Sequence, residues 1–145
     1  MPAIGFIDSR SATALTERLL GRMNLVNASQ LVNAVQNGEW DRSRIAGLAV
    51  DVIRAADEGD PLANEIVESQ IAALADCVLA VATSLNLDRS NLPLALAGSL
   101  LTKSPTYRDR LLMRLKQLGL QASHVVEISE PAEGALRLAF QKLSK

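Results

Sequence analysis

Leu92-Pro93-Leu94-Ala95-Leu96-Ala97-Gly98-Ser99 is the stretch on which the fold turns. Six apolar residues in a row, halted by glycine and serine, suit a strand buried on both faces, because a strand wet on one side alternates apolar with polar. Just beyond it, Ser104-Pro105 sets a capping hydroxyl before proline at the first helical position, where the missing N–H costs nothing. The helix it opens runs through Leu111, Leu112, Leu115 and Leu118 and closes at Gly119. His124-Val125-Val126-Glu127-Ile128 reads as a second strand, and Pro131 begins a last helix through Ala135, Leu136, Ala139 and Leu143. Strand, helix, strand, helix at these lengths is the order of a parallel crossover unit.

Upstream the pattern is helical. Ser11 can cap a first helix with Leu15, Leu19, Leu20 and Met23 on one face. Asn27 caps a short second helix bearing Leu31, Val32 and Val35, which Asn37-Gly38 stops. Asp41 opens a third, with Ile45, Leu48, Ala49, Val52 and Ile53 at spacings of three and four, ended by Gly59. Asp60-Pro61 is the clearest punctuation of all, an acidic cap ahead of a first-turn proline. From there Leu62, Ile66, Val67, Leu74, Val78, Leu79 and Leu85 trace one long helix that reads as central, with alanines that let neighbours approach closely. The expectation is a single helix-rich α/β domain over residues 1–145, with about six helices and two short parallel strands.

Composition fits this. Apolar residues make up 48% and charged ones 21% of the 145, a globular rather than a disordered balance. A net charge of −1 gives no electrostatic reason to expect nucleic acid or an anionic membrane as partner. Cys77 is the one cysteine, which excludes an internal disulfide and a cysteine-built zinc site, and a cytoplasmic address fits best. The N-terminus has no basic segment followed by an apolar stretch, so no signal peptide is read there. The most apolar run, Leu92 to Leu101, falls far short of the ~20 residues of a membrane helix, and Glu65, Glu68 and Asp76 argue against insertion of the long helix.

Chemistry is sparse. His124 is the sole histidine and has no nucleophile beside it, so it reads as a strand-start residue with one face wet. Cys77, mid-helix among apolar residues, reads as a small core side chain. Trp40 covers the first turn of the helix after it. Asp57, Glu58 and Asp60 flank a helix end, and Asp60 has a capping role. Neither GxxxxGK[ST] nor GxGxxG occurs. No catalytic residue and no metal ligand is assigned. What remains is Gly98-Ser99: small residues at the carboxyl end of a strand, where open α/β sheets bind ligands, followed by the hydroxyl and free N–H groups at Ser104. A bare glycine there would let a flat base or ribose lie against backbone.

Gly59-Asp-Pro-Leu-Ala, the long helix after it, Leu96-Ala-Gly-Ser-Leu-Leu and Pro131-Ala-Glu-Gly-Ala-Leu resemble, in this order, the C-terminal half of N-acetylglucosamine kinases and BadF/BadG/BcrA/BcrD-type ATPases. Residues 8–20 resemble the helix start that precedes this region in bacterial members. The resemblance spans nearly the whole chain and implies the C-terminal portion of an actin-like ATPase (ribonuclease H-like) lobe. It implies ATP as cofactor, with Mg only in a protein that carries both lobes. By position, Gly98-Ser99 matches the turn that abuts adenine or ribose, with serine where glycine is common. Ser104 matches a polar residue near the nucleotide, Ala46-Gly47 a small helix face approaching the base from the other side, and Gly134-Ala135 the tight start of the last helix. The family's phosphate loops, catalytic aspartate and sugar contacts lie, by position, ahead of residue 1. The partner expected is therefore the upstream half of the same fold, or a second copy. The different-class alternative is a helical interaction module that kept the fold and lost the nucleotide.

Overall fold

In the computed structural model, residues 13–37 and 40–143 are described. They form α1 (Ala14–Met23), α2 (Ala28–Gln36), α3 (Arg42–Gly47), α4 (Ala49–Asp57), α5 (Pro61–Ser84), β1 (Leu92–Ala97), α6 (Ser99–Lys103), α7 (Pro105–Gln117), β2 (Ala122–Ile128) and α8 (Pro131–Leu143). The chain is helix-rich with two short strands that pair in parallel, the α/β class read from the sequence. Contacts divide it into two compact units, Met1–Ser69 and Gln70–Lys145.

In the first unit, α1 packs against α2 and α4. Leu15 and Met23 of α1, Ala34 of α2, and Ile53, Ala55 and Ala56 of α4 are buried, together with Ala63 and Val67 at the start of α5. Asp60 holds this end in place. Its Oδ1 accepts the Ala63 N–H at 2.9 Å, which is the cap, and its Oδ2 accepts the Leu15 N–H of α1, also at 2.9 Å. Gly59 just before it takes φ +94, so the turn between α4 and α5 uses a conformation open to glycine. Arg18 pairs with Glu58 at 2.6 Å, and Arg22 approaches the buried Asp51 at 3.6 Å.

In the second unit, α7 is the crossover between β1 and β2, and its Tyr107, Leu111 and Leu115 are buried with Leu92, Leu96 and Leu120. The register runs Pro93↔His124, Ala95↔Val126, Ala97↔Ile128, with one irregularity between Leu92 and Pro93. Ile71, Ala75 and Ala82 of α5 are buried here too.

Several expectations are corrected. β1 is not buried on both faces: Leu92 and Leu96 are buried, whereas Pro93, Ala95 and Ala97 are exposed. Alternate residues point to opposite faces, and the second face of this sheet carries no cover among the described residues. The third helix is two, broken at Leu48, because Gly47, the weakest helix former short of proline, sits at the joint. A further short helix, α6, intervenes before Ser104, so the helices number eight among the described residues rather than about six. The cap of α1 is Thr13; Ser11 and Gly38 lie outside the described residues. Cys77 is exposed, not core. The buried stripe of α5 runs through Ala63, Val67, Ile71, Ala75 and Ala82, steps of four and seven that keep to one side, and Cys77 falls off it. The same helix is therefore not central in the sense of being enclosed, for Leu62, Ile66 and Val81 are exposed. Its most apolar window of 18 residues has mean hydropathy 1.6, long and apolar enough by length and composition to cross a membrane.

Candidate functional site

The carboxyl end of the sheet is built by two neighbouring strand ends. Pairing of Ala97 with Ile128 sets Gly98-Ser99 beside Ser129-Glu130. Gly98 has φ +96 and ψ 147, a region essentially restricted to glycine. A Cβ placed on it would meet nothing within 4 Å, so the glycine is demanded by the backbone turn and leaves open space on its side-chain side. Its carbonyl accepts from the Thr102 N–H and the Thr102 hydroxyl, both at 3.0 Å, which fixes the turn onto α6.

Ser104 caps α7, as the cap-proline signal predicts: its Oγ accepts the Tyr107 N–H at 3.4 Å. Four residues on, half-buried Arg108 donates to Glu127 near the end of β2 and lies 3.9 Å from Asp109. That pair ties the first turns of α7 to the strand end. Beyond Glu127, a groove of about 190 Å³ is lined by Ser129, Glu130, Glu133, Gly134 and Arg137 as well as by Glu127 and Ile128. Its volume is below the ~300–1,000 Å³ of sites that enclose a whole small ligand, so it could take only part of one.

Gly98, Ser99 and Ser104 are thus brought to one end of one sheet, in the second unit. Ala46 and Gly47 lie at the end of α3 in the first unit, both exposed, with open space where a Gly47 Cβ would stand. Gly134 lines the groove at the start of α8. Arg108, Glu127 and Arg137 were not singled out by sequence; their only signal is position, next to a strand end or inside the first turns of a helix. His124 is exposed in β2. Trp40 is half-buried and carries the Arg44 guanidinium 4.5 Å over its ring, the cover of a first turn that its position suggests. Among the described residues no group of three or more His, Cys, Asp or Glu could share a metal ion. The arrangement offers backbone, hydroxyls, the exposed Arg137 and the carboxylates of Glu127, Glu130 and Glu133.

Comparison with family models, with curated proteins and with solved structures finds no match.

Proposed function

We propose that this chain is the adenosine-facing C-terminal portion of an ATP-dependent N-acetylglucosamine kinase-like protein or BadF-type ATPase. One observation carries the reading. Gly98 holds a glycine-only conformation at the carboxyl end of a parallel strand, and apart from Gly98 itself and its two chain neighbours no residue comes within 4 Å of where a side chain would begin. That is room for a flat ring or a ribose to lie on backbone at the edge where α/β sheets take their ligands. Gly98 and Ser99 would contact the nucleoside, and Ser104 would offer its hydroxyl. ATP supplies the transferable phosphoryl group when bound; these residues supply only adhesion. Phosphoryl transfer depends on groups that position phosphates and neutralise their charge, and none of the named residues does so.

The test is titration of the chain with ATP and adenosine, followed by amide resonances. The Gly98, Ser99 and Ser104 signals should move saturably, without turnover of ATP. Gly98→Val should weaken that binding by about tenfold or more, a loss of at least ~1.4 kcal/mol. Because strain at such a backbone position is itself of order 1–3 kcal/mol, the variant's thermal midpoint is measured alongside. Resonances that stay still at saturating nucleotide, or respond equally in a folded Gly98→Val, would remove Gly98 from any nucleotide site.

A second reading, an interaction module, is favoured by the open sheet. Leu92 donates its N–H to Gln121 at 2.9 Å, so the alternate residues Pro93, Ala95 and Ala97 turn their backbone groups away from β2. No strand pairs with that edge among the described residues, and unpaired edges invite strand addition. Two strands are also few for independent stability. On the first reading the same edge would meet an upstream half of the fold or a second copy, and a second copy predicts sedimentation that rises in mass with concentration. A monomer at every concentration that binds no hydrophobic dye would rule out the second copy.

A further inference from the structure

We draw no further inference here: the strongest candidate, the groove of about 400 Å³ beside α7 and β2 lined by Leu112, Lys116, Leu120, Gln121, Ala122 and Val125, is an open surface of mixed polarity, and nothing in the structure shows what covers it.

Discussion

The chain uses one device twice, with different results. Asp60-Pro61 and Ser104-Pro105 each place a capping side chain before proline and open a helix. Asp60 is 8% exposed and both its oxygens are engaged, one by the Ala63 N–H of its own helix and one by the Leu15 N–H from 45 residues away. Its backbone carbonyl takes the Asn64 N–H and side-chain amide as well, each at 3.0 Å. Ser104 is half-buried and makes one cap bond, at 3.4 Å, the long limit for such a contact. A cap whose acceptors are all taken joins elements together. A cap with capacity left over can still meet something else. By this measure the first junction is wholly committed to structure, and the second keeps the spare donor that the proposed nucleotide contact at Ser104 requires.

Substitution at Asp60 should have the largest effect in the molecule. Asp60→Ala removes the cap of α5 and the tie to α1 together, and leaves the Leu15 N–H without its partner in a buried place. A drop of several degrees in the thermal midpoint is expected, well beyond that of Ser104→Ala; equal drops at the two junctions would break the contrast between them. Acid should expose the same difference. The Ala63 N–H, ahead of the Leu15 N–H and against the opposing effect of burial, holds the Asp60 carboxyl below its ordinary value of 3.8. A carboxyl with a depressed folded pKa stabilises fully above its unfolded value, and that contribution drains away as pH falls through the folded one. Chemical denaturation should therefore show extra loss of stability below pH 3.8 in the native chain. In Asp60→Asn that extra acid sensitivity should shrink. Parallel curves for the two proteins from neutral pH downward would mean the carboxylate is not what the acid titrates.

Sequence showed β1 to the residue, because six apolar positions followed by glycine leave little freedom in either boundary. It showed both cap-proline junctions for the same reason: the chemistry is local. It did not show that β1 is covered on one side only, since Pro93, Ala95 and Ala97 are small or apolar and give no sign of facing water. Nor did it show the break at Leu48, where apolar spacing of three and four continues across the joint and conceals it. The Arg108–Glu127 pair joins residues 19 apart, and only the crossover of α7 brings them together. For the candidate site, a turn at Gly98 was legible, and the structure adds the conformation that makes glycine obligatory there. The proposal that a nucleotide lies against this turn comes from resemblance, not from any local pattern.

The smallest effect on stability belongs to Ser104→Ala, and it separates folding from binding most cleanly. Loss of a single long cap bond should cost about 0.5–1 kcal/mol, the lower part of the range for serine caps. Pro105 keeps the first turn preorganised whatever precedes it, and the Arg108–Glu127 pair still fastens α7 to the end of β2. The helix should accordingly stay in place, with the amide spectrum disturbed only near Tyr107. If the serine also serves a nucleotide, affinity should fall while the thermal midpoint hardly moves, and Ser104→Thr, which restores the hydroxyl, should recover both. The hydroxyl can do the two jobs together, because as acceptor it takes the Tyr107 N–H and its own hydrogen remains to donate. A Ser104→Ala variant with unchanged nucleotide affinity would make Ser104 a cap and nothing more. The site would then contract to Gly98 and Ser99.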